Sequence, residues 1–426
     1  MSQDEKNNKI KDSMKATKER HAQMECRVFE IKVVSSKMPK SQRDQVNQYF
    51  REAKWRRNSI IADLEHADRN GRTATVKVGD VFEERDLNIL GSQVRQDLYD
   101  SVKSEIKGLH TKKERGEKVG ALGFKSYCNS IPLRQFGTTY RIDFQRNRIK
   151  VQNIKKEFYV RGLKQIPQDA DITNAKFIRK ASGLYFHITC YIPYARSNRT
   201  GHIEGIDFGI GHNLTFTDGS YVDIDIPESK SVKLASKRVN KALHKSSVGK
   251  KAKNHYKRKK KLRCAYERDA NRRKDAANKL VHDILTNNDF VAIQDEMIHN
   301  WHSGLFGKQV QHSAMGTIKA KLKNSSKVVM IERSFPSTQM CPVCGCLTKH
   351  PLSKRDYDCP HCGYHHNSRD QKSAQSILTE ALRQTSNIQV SPEQRAQSLV
   401  ETTSAASVSL GADCKMPSVK QEAQVL

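Results

Sequence analysis

Nowhere in its 426 residues does the chain run 18 apolar residues together. Its most apolar stretches, Phe290 to Ile293 and Val328 to Ile331, are only strand-sized, which argues against a membrane-spanning helix. The amino terminus, MSQDEKNNKIKDSMKATKER, lacks the apolar centre of a secretory signal, so a soluble, cytosolic protein is expected. Apolar residues are scarce at 36% and aromatics at 7%. That composition excludes one large core and points to several modest ones. At roughly 150 residues per domain, two to four domains are expected. Ten cysteines in an unsecreted chain argue against a disulfide framework.

Acid is the other shortage. Lys and Arg number 76 against 46 Asp and Glu, for a formal net charge of +30. From Thr385 onwards three bases meet four acids, so that tail is −1 and the remaining body +31. Such a body repels itself without a polyanionic partner, and nucleic acid leads over membrane surfaces. Between Lys230 and Arg263, 15 of 34 residues are Lys or Arg and none is acidic. The plain reading of that run is a solvated helix face; the functional one is a phosphate-binding surface.

The hydropathy pattern changes several times. Residues 1–24 are polar without a core pattern and are expected to form a flexible basic arm. Phe29, Ile31 and Val33 alternate with Val28, Glu30 and Lys32, the signature of a half-buried strand. Over 40–126 the period is helical: Val46, Phe50, Ala53, Ile60 and Ile61 form a stripe, with Lys54, Arg56 and Arg57 mostly off it. Strand signals return over 127–200, with a hairpin where Ala181-Ser182-Gly183 separates two runs. The economical interpretation is a β-barrel or sandwich (25–39 and 127–200) with a helical insertion. From His202 three strand-like runs follow, two of them joined by Asp218-Gly219. Strands near 289–293 and 327–331, a cysteine module and a helix from about Ser368 come next. Residues 385–426 are expected to be a disordered tail. The fold class is multidomain α+β.

Cys341-Pro-Val-Cys344, then fourteen residues, then Cys359-Pro-His-Cys362, form two CxxC knuckles. Paired knuckles bring four thiolates to one tetrahedral Zn²⁺ with no open position, which is a structural site. Cys346 and His361 are alternative ligands that fit the pairing less well. Three acids stand at element ends: Asp207 in the first strand run, Glu296 after Val291 to Gln294, and Asp370 opening the last helix. Convergent carboxylates suit a hard divalent cation such as Mg²⁺. Taken singly, each also reads as a surface carboxylate or a helix N-terminal acid.

Gly205-Ile206-Asp207-Phe208-Gly209-Ile210, Gln294-Asp295-Glu296, and the knuckles followed by Asn367-Ser368-Arg369-Asp370 occur in one order. Together with Ser-Phe-Pro-Ser-Thr-Gln-Met before Cys341, and Trp301, they resemble the RuvC nuclease of transposon-encoded TnpB proteins and miniature type V CRISPR effectors. The resemblance is specific over about 203–383; before that it is architectural, with only Ala53-Lys54-Trp55 and Asn58 similar in sequence. It implies a wedge β-barrel (25–39 and 127–200), a helical recognition lobe (40–126), a RuvC-like nuclease of RNase H-like α/β fold (201–335 and 367–384) and an inserted zinc ribbon (336–366).

The resemblance implies an RNA-guided DNA endonuclease of the prokaryotic cytosol. Its partners would be a guide RNA and target DNA, with a short flanking motif recognised and no membrane, as monomer or homodimer. It puts the metal-binding acids on Asp207, Glu296 and Asp370, with Mg²⁺ (or Mn²⁺) as cofactor and Asp295 a second choice at the middle motif. Nucleic-acid contacts are expected at Lys54, Arg56, Arg57, Lys257, Arg258, Lys259 and Lys260. Where members commonly read Asp-Arg-Asp with Asn-Ala-Ala, this chain has Ser368-Arg369-Asp370 and Lys372-Ser373-Ala374. Rival readings are an RNA-independent nuclease or transposition factor, and a catalytically silent repressor.

Overall fold

The computed structural model describes residues 3–193, 200–244, 253–351 and 354–385. The expected disordered tail beyond Thr385 and the middle of the basic run lie outside them. The chain divides into two compact units, residues 1–196 and 197–426.

The first unit begins with α1 (Gln3–Ala22), where a loose arm was expected. Its Lys, Glu, Ala and Met residues favour helix without needing an apolar stripe, and periodicity therefore does not reveal it. Its last turn is tied down: Arg20 and His21 both pair with Asp171, and the His21 ring stacks 3.8 Å from Tyr191. Strand β1 (Met24–Val33) follows, then α2 (Lys40–Ala62). Residues 63–91 carry a two-stranded hairpin, β2 (Thr73–Val78) and β3 (Val81–Asp86), inside the segment expected to be helical. Alternation is broken on β3 by the consecutive charges Glu83, Glu84, Arg85 and Asp86, which hid the pairing. Helix α3 (Ser92–Glu114) completes the insertion.

Strands β4 (Ser130–Leu133), β5 (Tyr140–Asp143), β6 (Arg148–Val151), β7 (Phe158–Arg161), β8 (Asp171–Lys180) and β9 (Gly183–Pro193) join β1 in one sheet, ordered β4-β8-β9-β1-β7-β6-β5. The sheet curls into a nearly closed barrel. The expected turn at Gly183 is present, with the glycine at φ +144° opposite Lys180. Inside, Phe177 and Phe186 stack at 4.6 Å and Phe158 meets Phe186 edge-on at 5.6 Å, all three fully buried. Each such ring contributes about 2–3 kcal/mol of burial.

The second unit is built on a five-stranded sheet. Strands β10 (Ile203–Phe208), β11 (Leu214–Phe216) and β12 (Tyr221–Val222) run as an antiparallel meander. Gly219, at φ +86°, makes the turn expected at Asp218-Gly219. Helices α4 (Lys230–His244) and α5 (Lys253–Asn287) lead to β13 (Phe290–Gln294), parallel to β10. After α6 (Gly307–Ser313) and α7 (Met315–Leu322), β14 (Val328–Ile331) pairs parallel to β13, giving the order β12-β11-β10-β13-β14. A small ribbon with β15 (Tyr357–Asp358) and β16 (His365–His366) precedes α8 (Arg369–Gln384). Alternate residues of β13 face opposite sides. Val291 and Ile293 pack with α5 and α7, while Phe290 and Ala292 pack against Ile377, Leu378 and Ala381 of α8. Helices on both faces explain why this strand is buried throughout and apolar from Phe290 to Ile293.

Candidate functional site

The two knuckles fold alike because they repeat one hydrogen-bond pattern. Cys341 N donates to Cys346 O (2.9 Å) and Gly345 N to Cys341 O (3.0 Å). Cys359 N donates to Tyr364 O (2.8 Å) and Gly363 N to Cys359 O (3.0 Å). Gly345 and Gly363 take φ of +72° and +73°, a turn that only glycine adopts without strain. The thiols of Cys341, Cys344, Cys359 and Cys362 lie within 4.8 Å of one another, with Cys341–Cys362 and Cys344–Cys359 sulfurs 3.6 Å apart. A Zn–S bond of about 2.3 Å in a tetrahedron sets S···S near 3.8 Å, so this donor set fits a structural zinc. Among the described residues it is the one such cluster.

The acids are carried by three neighbouring elements. Ile206 of β10 is in register with Ile293 of β13, so Asp207 and Glu296 both leave the carboxyl ends of parallel strands, where open α/β sheets commonly bind ligands. Helix α8 crosses β10 at Gly205, where an added Cβ would come within 2.3 Å of Ala374 O. That close approach brings the first turn of α8, with Asp370, towards Asp207. Ser368 caps the helix by accepting from Gln371 N (3.3 Å). Burial, and then the carboxylates of Asp370 and Glu296, push Asp207 up to about 8. Asp207 therefore senses both other acids. The three do not gather within 4.8 Å as the thiolates do.

The two acids of the middle motif differ sharply. Asp295 pairs with Lys319 (2.6 Å) and Arg333 (3.5 Å), and the hydrogen bond from Lys319 holds its carboxyl below the usual range. Burial raises Glu296, which has no ion pair among the described residues. Asp370 lies 3.8 Å from Arg355 Nη1 and 3.9 Å from Arg369 Nε.

Lys372 is fully buried. Its Nζ donates to the carbonyls of Ser337 (2.9 Å), Thr338 (2.7 Å) and Met340 (3.0 Å) and lies 4.0 Å from the Tyr357 ring centroid. Burial pushes the ammonium down to about 7. Sequence reasoning registers this residue only as a departure from a pattern. The surrounding Ser373, Ala374 and Ser376 were the available signal, since small residues on successive faces mark a helix enclosed on several sides.

The basic candidates separate by burial. Lys257, Arg258, Lys259 and Lys260 are exposed on the first turns of α5. Lys54 is half-buried. Arg56 and Arg57, expected off the apolar stripe of α2, are instead 3% and 5% exposed. Arg56 donates to Asp68 O, and Arg57 Nη2 to Glu105 Oε2 at 2.7 Å. Helix α3 and the residues after α2 cover that side, so both guanidinium groups are buried in the protein alone, where a solvent-facing position was expected.

An α/β unit with acids at strand and helix ends, interrupted by a four-thiolate ribbon, defines the class. Residues 189–300 match the OrfB_IS605 family model, described as a "probable transposase", and 314–377 match the Cas12f1-like TNB domain. These matches make the chain TnpB-like. A curated relative from Streptomyces pristinaespiralis, named "putative RNA-guided DNA endonuclease", is 28% identical over 234 residues. The match covers 52% of this chain and 56% of the relative, so the chain spans about half the length of the curated relative it matches.

Proposed function

We propose that the protein is an RNA-guided DNA endonuclease with a single RuvC-like site formed by Asp207, Glu296 and Asp370. The observation that carries this reading is geometric: β10 and β13 run parallel in register at Ile206 and Ile293, and α8 packs directly on Gly205, so the three acids lie on elements that meet at one end of the sheet. The sheet order, an antiparallel meander followed by two parallel strands, supports the RNase H-like assignment. Three hard carboxylate oxygens suit Mg²⁺, with Mn²⁺ a substitute. When bound, the metal supplies charge that activates water and stabilises the leaving oxygen of a phosphodiester.

The chain's own residues do the rest. Lys319 donates to Glu296 O as well as to Asp295, fixing the main chain from which the Glu296 side chain projects. Asp207, its carboxyl raised by burial and by the two other acids, would have to give up its proton to hold a cation. Asp370 is held by the capped first turn of α8. The exposed bases at 257–260 bind nucleic-acid phosphates, and Lys54 is a further contact. Guide RNA and target DNA are the partners, and a short flanking motif is read before pairing. Two purified-protein measurements test this: sequencing the bound RNA and assaying a matched DNA target with Mg²⁺. One defined RNA species and cutting of the matched target are expected. Heterogeneous RNA refutes guidance, and binding without cutting in Mg²⁺ or Mn²⁺ refutes catalysis.

A further inference from the structure

A continuous buried polar network runs from the residue before Cys341 to Gln294 and Lys372, each two positions along the chain from one of the acids. One end is Gln294, two residues before Glu296. Its Nε2 donates to the carbonyls of Glu332 (3.3 Å), Arg333 (3.2 Å) and Phe335 (2.6 Å), and its Oε1 accepts from Ser337 Oγ (2.8 Å). Ser373 of α8 donates to the same Ser337 hydroxyl at 3.1 Å. Lys372 takes the next three acceptors, the carbonyls of Ser337, Thr338 and Met340, and Ser376 Oγ donates to Met340 O at 3.1 Å. Met340 is the residue before Cys341. The strap 332–340 is thus held by β13 on one side and by the first turns of α8 on the other.

Lysine is the demanding member. An ammonium has three donors and no acceptor, and here all three are satisfied by one short segment of backbone. Among the described residues no carboxylate pairs with it. A buried cation is tolerated only while such partners stay in place. If the strap shifts, Lys372 loses all three acceptors together, and the start of α8 must move with it. The strap ends on a thiolate, so its position depends on what the cluster holds. The Tyr357 ring beneath the ammonium also belongs to the ribbon, and its hydroxyl donates to Gln339 O (3.1 Å).

We propose that Lys372 is a positioning residue that transmits the loading of the thiolate cluster to the Asp370 end of α8. The proposal rests on reading Asp370 as part of the reacting site. Zinc at the cluster then does more than fold the ribbon: it fixes the strap, and through Lys372 the helix start that carries an acid.

Hydrogen exchange on the full chain tests this, comparing wild type, zinc-stripped wild type and Lys372→Met, with zinc content measured alongside. The expected result is a Lys372→Met protein that keeps one zinc and normal exchange over residues 24–193. Residues 368–376 should exchange about tenfold or more faster, as they should in stripped wild type. Unchanged exchange of that segment in zinc-loaded Lys372→Met overturns the proposal. Should the variant unfold its whole unit, stripped wild type decides, and a helix start that stays protected overturns it. Cleavage is read separately. If exchange shows the coupling but zinc-loaded wild type never cuts a matched target, the coupling stands and the nuclease reading fails.

Discussion

Lys319 Nζ lies 2.6 Å from Asp295 Oδ1, and the same ammonium donates to the backbone carbonyl of Glu296, also at 2.6 Å. One lysine thus neutralises the first acid of the pair and anchors the second. Asp295 is further engaged by Arg333, and the proposed site accordingly assigns the metal to Glu296. Glu296→Gln should lower cleavage at least about a thousandfold, whereas Asp295→Asn should lower it about tenfold, through a looser loop. Single-turnover cleavage of matched target measures both. Equal losses would contradict the division of roles.

Asp207→Asn separates binding from cutting. Binding of guided DNA should stay within about threefold of wild type while cleavage falls about a thousandfold, because the carboxylate acts on the chemical step. Filter binding and cleavage on the same preparation give the two numbers.

The raised carboxyl at 207 also sets a pH dependence. A folded-state value of about 8 lies above that of an unfolded carboxylate, so the folded chain holds the extra proton between the two. Metal-free stability should therefore fall as pH rises from about 4 to about 8. Asp207→Asn should flatten that slope, and added Mn²⁺ should restore wild-type stability at pH 8. Thermal melting across this range checks the sign.

Cys344→Ser should lose stoichiometric zinc and destabilise the second unit, since a structural zinc contributes folding energy directly. Metal analysis and melting of wild type and variant are sufficient. Wild type without zinc would refute the site.

Replacing Lys257, Arg258, Lys259 and Lys260 by Gln should weaken binding evenly across DNA and RNA sequences. The slope of log affinity against log salt should drop by about 0.7–0.9 for each phosphate that the variant no longer neutralises. An unchanged slope would make this end of α5 a solvated face.

What was legible in the sequence was local. The knuckles were legible because spacing and glycines specify them within a few residues. The succession of strand runs that carry Asp207 and precede Glu296, and the helix starting near Ser368, followed from short-range pattern. The choice between Asp295 and Glu296 depends on Lys319 and Arg333, distant in sequence, and no local pattern announces them. Arg56 and Arg57 misled because periodicity shows which face is apolar but not whether another element covers the polar one. Helix α1 escaped notice because polar residues alone can form it, and Lys372 because burial of an ammonium is decided by a strap more than thirty residues earlier.

Gly205 has no functional group, yet a single methyl there would collide with Ala374 O at 2.3 Å and Leu378 Cβ at 2.9 Å. Strand and helix are therefore in direct backbone contact, and no side chain between them can absorb a change. Any substitution at 205 must lift α8 away from β10, carrying the carboxylate at 370 outward from the one at 207. The narrowest mutational tolerance in this site thus falls on the residue with the least chemistry, and no substitution within α8 short of moving its main chain can compensate for it.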